Sequence, residues 1–342
     1  MSFSQTKMII LNLKIWSGVK NLVQLIIDFA FQGNPFELGY YEQCEKQLTE
    51  TNNLQISNKL KMGLIDNYME SACKGGNIEI VKLMIRSGAH NWDIGLWTAC
   101  ENNHEKIVDL MIVNGATYWS FGLIGACEGS NMKLIEYMIL KGASNLNEGL
   151  HVACKHNDMK LIEYLIIKGA NDWSIGLIGA CKSGNIKLVN LMIVKGAINW
   201  NEGLCIACKC GNMKIVKLMI KKGAAAWDNG LWSACEGGNI EIIKLMIING
   251  ATNWDCGLIG ACEGGNMKIV KLMIDKGATD WYNGLHAACR CGNIEIVELM
   301  IASGTTDQDI WDLGLYFACE YGHIEIVKLL IIYMTKNNII AR

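Results

Sequence analysis

Two short clusters in this sequence have the spacing of metal ligands: Cys205-x-x-Cys208-x-Cys210 and His151-x-x-Cys154-x-His156. Thiolate and imidazole one helical turn apart can share a zinc ion. Cys289 and Cys291 form a third close pair. Each cluster, however, contains one cysteine that belongs to a longer series. Cysteine follows alanine at positions 73, 100, 127, 154, 181, 208, 235, 262, 289 and 319. The spacing is 27 residues eight times in succession and then 30. Members of such a series occupy one structural slot, so Cys154, Cys208 and Cys289 point into a core, away from the neighbours that would complete a site. The expectation is no metal and no cofactor. No Gly-rich phosphate loop is present, and no nucleophile stands with a base and an orienting acid. The chain reads as a non-enzyme.

The elements that carry these residues follow the same period. Tryptophan recurs at 92, 119, 173, 200, 227, 254 and 281, with Leu146 in the one gap and Trp311 three residues late. Each unit reads as two short helices. In the unit from Trp92, Asp93 is the expected N-cap of the first helix. Leu96, Ala99 and Cys100 make its buried stripe, and a hydrophobic staple is expected between Trp92 and Trp97. Gly, Asn or Ser then stands where the chain needs positive φ (Gly76, Asn103, Ser130 and equivalents). Asn77, His104, Asn131, Asp158 and their counterparts cap the second helix, whose I-V-x-L-M-I pattern is apolar on a broad face and must be sandwiched. A glycine ends it, at Gly88, Gly115, Gly142 and onward. A methionine ladder from Met84 to Met300 belongs to the core.

Composition supports this and removes other classes. Hydrophobic residues are 51% and charged residues 19%, with a net charge of −2, so the chain is not disordered. Its single proline excludes collagen. Apolar runs reach about six residues, against the ~18 needed to span a bilayer. Asn12 and Lys14 interrupt the only stretch resembling a signal peptide. Fifteen cysteines, an odd number, then read as reduced thiols of a cytoplasmic protein. Residues 1–62 read as a helical N-terminal cap, with helices over 18–32 and from Glu37 to about Leu48. Residues 63–336 form a solenoid of ten units, with the 30-residue spacing near 305–311.

The run A-C-x-x-G-N-x-x-I-V-K-L-M-I-x-x-G-A resembles the core of the ankyrin repeat. The usual repeat has 33 residues, a T-P-L-H start and a β-hairpin finger. Here x-G-L-x replaces T-P-L-H, and six residues are missing where the finger would be. The resemblance implies an all-α, right-handed stack of about ten ankyrin-like helix pairs without fingers. The shortened unit is similar to that of proteins from large amoeba-infecting DNA viruses, which would place the chain in host cytoplasm. The family implies protein binding, with the first helices lining the concave side.

The positions that vary on the first helices are then the candidate reading surface. One row holds Trp97, Ile124, His151, Ile178, Cys205, Trp232, Ile259, His286 and Tyr316; the other holds Glu101, Glu128, Lys155, Lys182, Lys209, Glu236, Glu263, Arg290 and Glu320. Residues 147–227 contain eleven lysines and five acids, a balance of +6 within a chain of −2. Lys155, Lys160, Lys182, Lys187, Lys209 and Lys214 recur there in register. An acidic protein segment matches such a patch; nucleic acid does so less well, because the whole chain is slightly acidic. The expected function is non-enzymatic protein binding through the first-helix face. Two alternatives are a scaffold of a viral particle that binds through its ends, and an adaptor recruiting substrates to a host ubiquitin ligase. The TKNNIIAR tail after Met334 is too short for the F-box-like tail that such adaptors carry.

Overall fold

The computed structural model describes residues 58–304 and 308–336. Among them the chain forms twenty helices and no strand. It divides into two compact units at Ile175/Gly176. The first contains α1 (Asn58–Gly75) paired with α2 (Ile78–Arg86), α3 (Trp92–Glu101) with α4 (Glu105–Val113), α5 (Trp119–Glu128) with α6 (Met132–Leu140), and α7 (Leu146–His156) with α8 (Met159–Lys168). The division falls inside α9 (Trp173–Ser183), whose partner is α10 (Ile186–Lys195). The second unit continues with α11 (Trp200–Lys209) and α12 (Met213–Lys221), α13 (Trp227–Glu236) and α14 (Ile240–Asn249), and α15 (Trp254–Glu263) and α16 (Met267–Asp275). It ends with α17 (Trp281–Cys291) and α18 (Ile294–Ala302), then α19 (Gln308–Glu320) and α20 (Ile324–Lys336). The proposed cap lies outside the described residues except for its last five, which already belong to α1. The late repeat shows as a longer first helix, 13 residues in α19 against 10 or 11 in α3 to α17.

The core is one slot pattern repeated. Leu96, Ala99 and Cys100 of α3 and Val108 and Met111 of α4 are each 0% exposed. The glycine before each leucine has a packing reason. A Cβ on Gly95, Gly122, Gly203, Gly230 or Gly284 would lie 2.5–2.8 Å from the Sδ of the methionine sixteen residues on, in the paired helix. At Gly149 that methionine is replaced by Leu165, and the nearest atoms, Cys127 Sγ and Leu165 Cδ1, stand off at 3.2 and 3.3 Å. Glycine and methionine thus fit each other, and the second helix lies close against the first.

The turns match the residues. Asn103, Ser130 and Asn157 take φ of 51–62°, in the slot that glycine fills elsewhere. The second helices α2 to α16 end in Schellman motifs: in α4, Ala116 N–H donates to Met111 O at 3.0 Å and Gly115 N–H to Ile112 O at 3.2 Å. Gly115 supplies the φ of 113° and Ala116 the buried contact. The second-helix caps are where the sequence puts them. Asn212 Oδ1 accepts from Ile215 N–H at 3.2 Å, while its Nδ2 donates to Gly184 O of the preceding pair at 3.1 Å. That double use requires an amide rather than a carboxylate. His104 and His323 instead reach back with Nε2 to Lys74 O and Arg290 O, at 3.1 and 3.0 Å.

The first-helix cap is placed differently from the sequence reading. Helix α3 already begins at Trp92, behind Asn91, and Asp93 does not cap it. Its Oδ1 accepts hydrogen bonds from the backbone N–H groups of Thr117 and Tyr118, in the loop leading to the next pair, at 2.9 and 2.8 Å. Asp66, Asn147, Asn201, Asp228 and Asp255 each bind two loop amides in the same way. Ser120, with a shorter side chain, binds only Ser144, at 3.1 Å. These loops have neither helix nor strand to satisfy their amides, so a side chain of the preceding repeat does it.

Candidate functional site

The varied residues on the first helices form a half-buried ridge rather than a free surface. In the first unit Trp97, Ile124 and His151 are all half-buried. Trp97 stacks on Phe121 of the next helix, ring centroids 5.8 Å apart, and Phe121 on Tyr118 at 5.7 Å. The tryptophan at the helix start faces elsewhere. Trp92 lies over the Gly115 turn, 3.6 Å from where a Cβ would be, and Trp227 and Trp281 cover Gly250 and Gly304 similarly. Lys141 and Lys276 place their ammonium groups 5.7 Å from the ring centroids of Trp119 and Trp254. The tryptophan ladder is therefore a cover over the glycine turns, where the sequence reading had stapled it to position 97.

In the second unit Ile178 and Trp232 are half-buried and Tyr316 is 57% exposed. His286, expected at the surface, is only 9% exposed. Tyr282 meets it edge-on at 4.2 Å and Phe317 packs at 5.8 Å, so two large rings have closed over it.

The charged row is knitted together. Lys155 Nζ donates to Glu128 at 2.8 Å and His156 Nε2 sits 2.6 Å from the same carboxylate. Burial would raise the Glu128 carboxyl, but hydrogen bonds from Lys155 and His156 and their charges bring it below the ordinary value of 4.5. Lys209 reaches Glu236 at 2.6 Å, and Arg290 binds Glu263. Glu263 is nonetheless raised, chiefly by burial and further by neighbouring Glu236, against the pull of Arg290. Glu101 is half-buried, and Lys182 is exposed on α9. Lys160, Lys187 and Lys214 lie apart from this row. They are exposed in the first turns of second helices α8, α10 and α12. The six lysines in register are therefore carried on two kinds of helix.

The face also has a longer period that the 27-residue reading passed over. Trp97, Ile124 and His151 recur 135 residues on as Trp232, Ile259 and His286. With them, Lys74, Glu101, Glu128 and Lys155 recur as Lys209, Glu236, Glu263 and Arg290. One copy lies within each unit. After each tryptophan the next first helix carries Gly-x-x-x-Gly, at Gly125–Gly129 and Gly260–Gly264. A Cβ on Gly125 or Gly260 would collide with the carbonyl oxygen of Trp97 or Trp232. The two helices at each of these steps meet backbone to backbone, and the indole spreads over the gap. The paired glycines were the signal in the sequence.

Of the thiols with metal-ligand spacing, the framework members are shut in the core. Burial pushes Cys154 and Cys208 up to about 12, and both are 0% exposed. Cys210 and Cys291 are exposed. No three His, Cys, Asp or Glu side chains gather to hold a metal among the described residues. A hollow of about 280 Å³ lined by Ile198, Trp200, Glu202 and Gly223 opens broadly to solvent. No described helix is long and apolar enough to cross a membrane.

Residues 177–256, 231–312 and 258–340 each match the family model described as Ankyrin repeats (3 copies). Residues 177–340 thus match ankyrin repeats, and the described residues there contain no β-hairpin. Among solved structures it is similar to the crystal structure of the human ASB11 ankyrin repeat domain, with 22% identity and a TM-score of 0.34. That match covers 53% of this chain and 96% of the other. No curated protein matches the chain.

Proposed function

We propose that the chain is a non-enzymatic protein-binding module that reads its partner through the first-helix face. Ankyrin repeats generally mediate protein–protein interaction, and the finer reading rests on one observation. The half-buried Trp97, Ile124 and His151 row, with its charged flank, recurs as Trp232, Ile259 and His286 while the framework around both stays constant. Aromatic and aliphatic groups held rigidly beside paired charges are the composition of an interface core with a polar rim. Lys155, Lys209 and Arg290 hold Glu128, Glu236 and Glu263 in fixed positions, so the charge pattern is presented already ordered. Ile178 and Tyr316 extend the same row.

Cross-linking mass spectrometry on the full chain in its native cell tests this reading. Cross-links should map to the first helices α3 to α7 and α13 to α17, and Trp97→Ala with Trp232→Ala should remove them. Cross-links confined to residues 1–60 and the last helix pair would instead make the molecule a scaffold that joins through its ends.

A further inference from the structure

The second helices expose one stripe each, at i, i+3 and i+7, and the two units load it differently. In the first unit a lysine is followed one turn on by an acid: Lys106 by Asp109, Lys133 by Glu136, Lys160 by Glu163, all exposed. In the second unit α10 and α12 lack that acid, and α16 has one only after a second lysine. Helix α12 exposes Lys214, Lys217 and Lys221 and is capped by Lys222, with no acid. Helix α16 exposes Lys268 and Lys271 ahead of Asp275, with Lys276 as its cap. Lys187 on α10 and Lys244 on α14 continue the stripe, the latter paired with Glu241 at 3.0 Å. Glu295 and Glu298 on α18 end it.

Like charges one turn apart on a helix destabilise it, and lysine in a first turn opposes the helix dipole. Helices α12 and α16 combine both arrangements and α10 carries the first-turn Lys187, whereas α14 opens with Glu241; an external anionic surface would offset this lysine excess. The same stripe carries apolar side chains held in water. Val194 is 82% exposed and Ile248 81% exposed, at the position that α12 fills with Lys221. We infer that the outer second-helix stripe of α10 to α16 docks on an anionic lipid bilayer. Lysine ammonium groups meet the headgroup phosphates and carboxylates, and Val194 and Ile248 enter the acyl boundary.

Three features favour lipid over other polyanions. The exposed aliphatics sit among the lysines, where an acidic peptide or a nucleic acid backbone offers them nothing. The stripe has no aromatic side chain on which a base could stack. It also has no arginine: none occurs between Arg86 and Arg290, and arginine is the residue suited to bidentate phosphate recognition in nucleic acids. This docking uses a different face from the one proposed to bind protein, so either proposal can fail alone.

Co-sedimentation of the full chain with vesicles provides the test. Binding is expected to phosphatidylserine/phosphatidylcholine vesicles at low salt and not to phosphatidylcholine alone. The triple change Lys214→Glu, Lys217→Glu and Lys271→Glu should abolish it, since each lysine near such a surface contributes roughly a fivefold gain. Val194→Ser with Ile248→Ser should weaken binding and leave its salt dependence unchanged. Trp97→Ala with Trp232→Ala should have no effect. The inference is overturned if the serine lipid vesicles do not bind, or if the charge reversals have no effect. It is equally overturned if duplex DNA or polyglutamate binds as tightly while the serine changes are silent.

Discussion

Asp228 holds the backbone of Thr252, 24 residues further along the chain, with its Oδ1 2.8 Å from the amide nitrogen. The same oxygen takes the next amide, of Asn253, also at 2.8 Å. Among the described residues no strand joins neighbouring repeats, and this clamp supplies a bond between them. Asp228→Ala should lower stability by about 1 kcal/mol, because two exposed loop amides lose their charged acceptor to water. Asp228→Asn should cost little, since Asn147 and Asn201 make the same bonds. Urea unfolding curves of the three proteins check this; an equal loss for alanine and asparagine would show that the clamp carries no weight.

The fit of glycine to methionine gives a graded series. Gly230→Ala puts a methyl group 2.6 Å from Met246 Sδ and should destabilise by about 1–3 kcal/mol through overpacking. Gly149→Ala meets Cys127 Sγ at 3.2 Å and Leu165 at 3.3 Å, a tight fit offset by a helix-propensity gain of up to ~1 kcal/mol, so it should be close to neutral. Shortening the opposing side chain, Met246→Ala, should recover part of the Gly230→Ala loss. Thermal unfolding midpoints would separate these outcomes.

Thiol reactivity should sort by slot. Cys100, Cys127, Cys235 and Cys262 are pushed up to about 12 by burial and hold almost no thiolate at pH 8. Alkylation followed by peptide mass mapping should modify the exposed Cys210 and Cys291 first. The framework thiols should react only in denaturant. Labelling of Cys100 in the native protein would contradict the packing.

Glu128 and Glu263 occupy equivalent slots with opposite pH behaviour. Glu128 is depressed in the folded state, so its ionised form contributes stability above about pH 4.5, lost as pH falls through the depressed value. Glu263 is raised, so its ionisation works against folding once pH passes above the ordinary carboxylate range. Glu128→Gln should therefore destabilise at pH 7 and not at pH 3. Glu263→Gln should be neutral or mildly stabilising at pH 7. Urea midpoints measured across that range would show whether the two signs differ.

The helices, their core and the second-helix caps were legible because a tenfold repeat averages out local ambiguity: Cys100 and Met111 need only one slot assignment each. Asp93 was misread because an Asx residue at a helix start has two uses for its oxygen, and sequence cannot say whether the nearer amides are its own or those of the next repeat. The surface was harder. Position 97 was recognisable as variable, but whether His286 stays accessible depends on Tyr282 and Phe317 closing over it. The lysines illustrate the same point, since register in sequence put Lys155 and Lys160 together although one ends a first helix and the other opens a second.

The Asx clamp has a mechanical consequence. Where an Asx residue stands in the slot, neighbouring pairs are joined by the same two bonds, so a pulling force meets links of similar strength there, weaker at Ser120 with its single bond. Such a chain lengthens by peeling one pair at a time rather than by sudden collapse. Each release frees 27 residues, about 90 Å of extended chain, and the protein behaves as a spring with evenly ruled steps.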